Sequence, residues 1–134
     1  MQKPIVSIVV PTLNEEKFIG QCLQALHNQT VAREHYEIIV SDSSSTDATV
    51  QIAKKYADKI VVCKRHSAGF GRNFGARHTN SELLGFVDAD TIVEKNWVAA
   101  LIEGLGKGIA CTGPVDALEK DSLKLRVFFK WWGL

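Results

Sequence analysis

The chain has 134 residues, of which 46% are hydrophobic and 23% charged, with a formal net charge of +1. That length supports one domain with a buried core, and the balance excludes a disordered chain and gives no global basis for nucleic-acid binding. No apolar run approaches the roughly 18 residues of a membrane span; the run Ile5 to Val10 is too short for a secretory signal and is soon followed by Glu15 and Glu16, so a cytoplasmic start is expected.

Ile5 to Val10 is apolar and β-branched, the pattern of a strand buried on both faces of a parallel sheet, and Pro11 is expected to end it. A helix follows, capped by Asn14, with Glu15 and Glu16 at the positive end of its dipole and Phe18, Cys22, Ala25 and Leu26 at helical spacing. Tyr36 to Val40 reads as a second strand, ending at Asp42. The turn Ser43 to Asp47 is rich in caps, and Val50, Ala53 and Ala57 mark one face of the next helix. Ile60 to Cys63 is a third strand, Phe70 to Thr79 a glycine-containing helix, and Leu83 to Val87 a fourth strand with Asp88-Ala89-Asp90 at its end. Trp97, Val98, Leu101 and Ile102 give a further amphipathic helix, and Ile109 to Thr112 a candidate fifth strand. This alternation predicts an α/β fold, a mostly parallel sheet with helices on both faces. Ligands on such sheets bind beyond the carboxyl ends of the strands. Three of those ends are polar (Thr12-Asn14-Glu15, Asp42 to Asp47, Asp88 to Thr91) and are expected on one edge.

Cys22, Cys63 and Cys111 match neither a zinc spacing nor a disulfide framework and are read as buried, reduced thiols. His27, His35, His66 and His78 have no ligand spacing, although His66 and His78 flank the glycine-rich segment. Four segments carry candidate chemistry. Asp88 and Asp90, one residue apart after an apolar strand, suit a hard divalent cation, Mn²⁺ or Mg²⁺, that neutralises a diphosphate; the plainer reading is two solvated acids with Asp90 capping a helix. Asp42 at a strand end can accept from a base imide or a ribose hydroxyl, or bond its own turn. Pro11-Thr12-Leu13-Asn14-Glu15 leaves the first strand where backbone groups can frame a nucleobase. In Ala68-Gly69-Phe70-Gly71-Arg72-Asn73-Phe74-Gly75 the glycines allow close backbone approach and Arg72 offers a planar fork for phosphate or carboxylate; close helix–sheet packing with Arg72 on a solvated face is the alternative. These glycines do not form a dinucleotide fingerprint, because the spacing differs and the first βα turn has none; a phosphate-binding G-K-[ST] loop is also absent.

Taken in order, these segments resemble family 2 glycosyltransferases with the GT-A fold, from Val6 to about Pro114. The likeness rests on the strand-Pro-Thr-x-Asn-Glu start, Asp42 with Ser45-Thr46-Asp47-Ala48-Thr49, Gly71 to Gly75, Leu84 to Asp90, and the Trp97 helix. It implies sugar transfer from a nucleoside-diphosphate sugar to an acceptor hydroxyl, metal-dependent and inverting. By the same resemblance Asp42 contacts the base, Thr12 and Glu15 frame base and ribose, Arg72 sits near the nucleotide or its diphosphate, Asp88 faces the ribose and metal shell, and Asp90 is the direct metal ligand. Ser43 departs from the second acid of many relatives, and Ser44 from a common glycine.

The expected organisation is a nucleotide-sugar-binding domain over 1–115 and an amphipathic segment over 116–134, the start of an acceptor-binding half or a membrane-interface helix. The resemblance also implies that the chain stops short of that half and of the acceptor's catalytic base, which neither Asp116 nor Glu119 marks. Leu125, Phe128, Phe129 and Trp132, with Lys124, Arg126 and Lys130 between them, suit peripheral contact at the inner face of a membrane through 123–134, or packing against protein. The acceptor is unspecified, a glycan or a lipid-linked group. The competing readings are a non-catalytic nucleotide-sugar-binding module and a nucleotidyltransferase, which should carry a glycine- and basic-rich loop after strand one.

Overall fold

The structure, a computed structural model, describes residues 3–64, 66–108 and 110. In chain order the elements are β1 (Val6–Thr12), α1 (Ile19–His27), a 3-10 turn (Arg33–His35), β2 (Tyr36–Asp42), α2 (Thr49–Ala53), β3 (Lys59–Val62), α3 (Ala68–Ala76), β4 (Leu83–Phe86) and α4 (Trp97–Lys107). The four strands form one sheet in the order β3-β2-β1-β4, with every pairing parallel. The expected architecture is therefore present, and the carboxyl ends of the strands open on one edge.

β1 and β2 are buried along their whole length, as their apolar β-branched sequences demand. Val6, Ile8 and Val10 of β1, with Ile38 and Val40 of β2, pack against Ile19, Cys22, Leu23 and Leu26 of α1, Ala53 of α2 and Val98 of α4. The opposite face is covered by α3 through a glycine seam. A Cβ at Gly75 would lie 2.4 Å from Val9 Cγ1 and 3.2 Å from Ser41 Cβ, and one at Gly71 3.2 Å from Pro11 Cβ. Across the sheet, Gly85 of β4 makes room for Leu101 and Trp97 of α4 in the same way.

Three local expectations change. Pro11 lies inside β1 rather than ending it. The pairing with β4 stops at Val9↔Phe86, so the N–H that proline lacks would point past the end of that ladder and no sheet bond is lost. Asn14 does not cap α1, which starts at Ile19 after Phe18, a residue with no side-chain cap. Asn14 has φ 54° and turns the chain toward the β2–α2 loop, so the buried face of α1 is Ile19, Cys22, Leu23 and Leu26 while Phe18 is exposed. The glycine helix runs Ala68–Ala76, capped by Ser67 Oγ accepting from Phe70 N at 3.1 Å.

Cys22 and Cys63 are both buried, as expected. Cys111, Asp116, Glu119, the boundary at 115/116 and the segment 123–134 lie outside the described residues, as does the candidate fifth strand 109–112 except for Ala110. No helix among the described residues is long and apolar enough to cross a membrane.

The glycine seam makes a direct prediction. Gly75→Ala should cost about 1–3 kcal/mol through overpacking against β1. Gly69→Ala, where an added Cβ meets nothing within 4 Å, should leave stability unchanged or raise it by up to about 1 kcal/mol. Urea unfolding of the two variants checks both values.

Candidate functional site

The strand ends converge on a partly open cleft of about 280 Å³, lined by Pro11, Thr12, Leu13, Glu15, Ser43, His66, Ser67, Ala68, Arg72, Asp88, Ala89 and Asp90. Five of the six expected site residues, Thr12, Glu15, Arg72, Asp88 and Asp90, line it together. They arrive from separate elements: Thr12 from the end of β1, Glu15 from the β1–α1 loop, Arg72 from α3, and the two aspartates from the turn after β4.

Ala89 is buried between Asp88 and Asp90, which are both exposed. Val87, bonded through its N–H to Val9 O at 3.2 Å, anchors the start of this turn to β1. Asp88 Oδ1 pairs with Arg72 Nη2 at 2.5 Å, so the guanidinium already answers one of the two charges. Burial, then the charge of Asp90, then that of Asp47, pushes the Glu15 carboxyl above its ordinary range. Beneath the acids, Cys22 Sγ donates to Asp88 O at 3.5 Å, and burial, reinforced by Asp90, pushes its thiol up to about 12. Cys22 is therefore a packed thiol rather than a nucleophile.

Asp42 stands apart. It is 1% exposed and does not line the cleft. Its Oδ2 accepts from Ser45 N at 2.9 Å and its Oδ1 from Ser45 Oγ at 2.5 Å, the local turn bonding that was its alternative reading. Ser43, its neighbour, lines the cleft instead. His66 and Ser67, between β3 and α3, and Ala68, the first residue of α3, also line it, and none of the three was assigned a site role from the sequence. The signal was their position: they follow a parallel strand, as the three polar ends already recognised do.

Two loops are stitched together at the cleft's side. Asn14 N donates to Ser45 Oγ at 2.8 Å, and Thr46 N donates to Asn14 Oδ1 at 2.8 Å. Glu15 N donates to Thr49 Oγ1 at 2.8 Å, Glu16 N to Asp47 Oδ2 at 3.2 Å, and Ala48 N to Glu16 Oε2 at 3.0 Å. In the turn Ser43 to Asp47, read as rich in caps, Asp47 bonds the first turn of α2, accepting from Thr49 N at 3.0 Å.

Comparison with known proteins fits this geometry. The family model described as "Glycosyl transferase family 2" matches residues 7–127. The chain belongs to glycosyl transferase family 2. Poly(ribitol-phosphate) beta-glucosyltransferase of Bacillus spizizenii is 40% identical over 95 residues, covering 66% of this chain and 15% of that protein. S. aureus TarS 1-349 in complex with UDP superposes with a TM-score of 0.70 at 28% identity, covering 77% of this chain and 32% of the other. Glucosyl-3-phosphoglycerate synthase from Mycobacterium tuberculosis, in complex with Mn²⁺, UDP and glucosyl-3-phosphoglycerate, superposes at 0.66 with 25% identity, covering 78% and 40%. The sheet and its helices are those of the GT-A, Rossmann-like fold of these glycosyltransferases. The chain spans 15% to 38% of the length of the curated relatives it matches.

The stitch has a pH signature. Burial opposes the charge of Asp47, but bonds from the Thr49 hydroxyl, Thr49 N and Glu16 N outweigh it and hold the carboxyl below its ordinary range. A lowered folded pKa stabilises the fold above the ordinary carboxylate range, and this is lost as pH falls through the folded value. Asp47→Asn should therefore be less stable than the parent at pH 7, and the gap should close in acid. Urea unfolding as a function of pH measures this.

Proposed function

We propose that the cleft is the donor site of a nucleotide-sugar-dependent glycosyltransferase, with a nucleoside diphosphate lying across the strand ends and its phosphates toward Asp88 and Asp90. The observation that carries this reading is the meeting of Asp88, Asp90 and Arg72 with Thr12 and Glu15 around one cleft. The UDP and Mn²⁺ bound by relatives of the same fold support it.

The donor set fits a hard divalent cation. Asp88 and Asp90 offer exposed carboxylate oxygens, and Glu15, whose carboxyl is raised by burial first and by the charge of Asp90 second, lines the same cleft. Among the described residues no group of three or more His, Cys, Asp or Glu could hold an ion. Asp90, with Asp88, would therefore hold Mn²⁺ or Mg²⁺ through one or two carboxylates, leaving the remaining positions to phosphate oxygens and water. When bound, such an ion neutralises the charge that develops on the departing diphosphate.

The chain's own groups do the rest. Arg72, released from Asp88 or bridging to it, offers paired donors to a phosphate oxygen. Thr12, Leu13 and Ser43 bound the part of the cleft beyond the acid pair along the strand order, the side left for base and ribose. The acceptor oxygen would attack opposite the departing diphosphate, with inversion. The acceptor is a hydroxyl of a glycan or lipid-linked group, and peripheral contact of 123–134 with the cytoplasmic face of a membrane would suit a lipid-linked one.

A second reading, nucleotide-sugar binding without turnover, is favoured by one observation: Glu15, Asp88 and Asp90 are the carboxylates lining the cleft, and all three lie in the group that would face metal and donor. Among the described residues no further acid lines the cleft to take the acceptor's proton.

Calorimetric titration of UDP, GDP, CDP and dTDP, each with Mn²⁺ or EDTA, tests the donor site. One or more nucleotides should bind only with the metal, and Asp90→Asn should weaken that binding at least about ten-fold. Equal binding by the variant, or binding indifferent to EDTA, would sink the assignment of Asp88 and Asp90.

A further inference from the structure

We infer that Gln29 is a positioning residue for the donor site: its side-chain amide fastens the far end of the turn that carries Asp88 and Asp90 to helix α1, and so holds the acid pair in place without itself touching donor or metal. This rests on the donor-site reading above and deepens it by naming what keeps the acidic wall of the cleft in shape.

The acid pair needs such a hold. Asp88 and Asp90 are exposed, so burial of their own side chains does not fix them, and the backbone of the turn must. Its near end is pinned to the sheet, where Val87 N donates to Val9 O at 3.2 Å. Next along, Asp88 O accepts from Thr91 N at 3.0 Å and from Cys22 Sγ of α1 at 3.5 Å. From Thr91 to Asn96 the chain is neither helix nor strand, and Ile92 is 45% exposed. The far end is the part that remains to be held.

Gln29 meets the turn there. It lies two residues beyond α1, half-buried, and does not line the cleft. Its Nε2 donates to Ala25 O and to Glu94 O, each at 2.9 Å, and its Oε1 accepts from Val98 N at 2.9 Å. These partners fix the orientation of the amide, because a flipped amide would set its oxygen against two carbonyls. Glu94 and Val98 stand 65 and 69 residues from Gln29, so the link is tertiary rather than local. The backbone adds to it one residue on, where Thr30 N donates to Lys95 O at 2.8 Å.

The same amide supplies what the start of α4 lacks. Asn96 at the N-cap makes no side-chain cap bond, and the N–H groups of a first helical turn have no acceptor within their own helix. Gln29 Oε1 takes the N–H of Val98, the second helical residue, a position that an N-cap side chain ordinarily serves. That first turn carries Trp97, whose ring lies against β4 at Gly85, where an added Cβ would be 3.3 Å from Trp97 Cη2. One amide thus joins the end of α1, the end of the acid turn and the start of the helix that backs β4. Cutting it removes an acceptor from Val98 N and a donor from Glu94 O, and lets the turn sample positions in which Asp88 and Asp90 no longer face one cation together.

A control of similar cost separates positioning from stability alone. Asp58 Oδ2 accepts from Ile38 N at 2.7 Å near the amino end of β2, the edge away from the cleft. Its loss should lower stability without reaching the acid turn.

The experiment titrates UDP, GDP, CDP and dTDP, each with Mn²⁺, into the chain and into Gln29→Met, Gln29→Glu and Asp58→Ala, and then titrates Mn²⁺ at fixed nucleotide. Urea unfolding ranks the stabilities and identifies any variant that does not fold. Gln29→Met keeps the length of the side chain and loses all three bonds. Gln29→Glu keeps an acceptor for Val98 N and loses the donation to Glu94 O and Ala25 O. Both should weaken Mn²⁺-dependent nucleotide binding, and raise the Mn²⁺ concentration at half-binding, by roughly five- to ten-fold. Asp58→Ala should be less stable than the parent and bind as the parent does. Either Gln29 variant decides the matter if the other does not fold. Parental affinity in a folded Gln29 variant, or an equal loss in Asp58→Ala, overturns the inference while leaving the donor site standing. If no nucleotide binds the parent chain with Mn²⁺, the donor-site reading falls and this inference falls with it.

Discussion

β1 pairs in parallel on both sides, with β2 from Val6↔Tyr36 to Thr12↔Asp42 and with β4 from Val6↔Leu83 to Val9↔Phe86. Because each pairing is parallel, every strand delivers its carboxyl end to the same edge, and the polar turns that follow the strands have no other place to go. The offset between the two ladders matters as much as their direction. β4 leaves the sheet after Phe86, level with Val9, whereas β1 and β2 run on to Thr12 and Asp42. The step so formed is the cleft, with Asp88 and Asp90 on its low side and Thr12, Leu13 and Ser43 on its high side.

Helix α3 ties this geometry to charge. Its glycines bring the helix onto β1 closely enough that Gly75 has no room for a methyl group, and that approach carries Arg72 across to Asp88. The ion pair is partly exposed, so its worth to stability is small. Its consequence is local: among the described residues that line the cleft, one guanidinium, that of Arg72, stands with three acids, Glu15, Asp88 and Asp90. That combination of acids and a guanidinium is what the proposed donor site, a cation and a diphosphate together, would call on.

The loops around the cleft hold themselves by polar bonds rather than by burial. Asn14, Glu15 and Glu16 of one loop bond Ser45 to Thr49 of the other, and two left-handed residues, Asn14 and Ser44, are held where those bonds require. Such stitching keeps a solvent-facing wall in one shape where apolar packing is not available to do so.

The α/β class, the order of elements and the shared edge were legible in the amino-acid sequence, because runs such as Val6-Ser7-Ile8-Val9-Val10 bury both faces and the turns between them carry the polar residues. The acid pair was legible for the same reason, since a carboxylate at the end of an apolar strand can only emerge at that edge. The sequence alone did not determine which neighbour of two faces the cleft. Asp42 and Ser43 differ by one position in a chain whose side chains alternate, and only the pairing of β2 with β1 and the capture of the carboxylate by Ser45 sent Asp42 inward and Ser43 to the cleft. Likewise Asn14, a good cap in isolation, became a left-handed corner because the acceptors and donors of the neighbouring loop, 31 and 32 residues away, bound it more completely than the start of its own helix could. Local pattern decides which segments are strands and helices; long-range hydrogen bonds between loops, which have no period in the sequence, decided where the individual side chains of the site point.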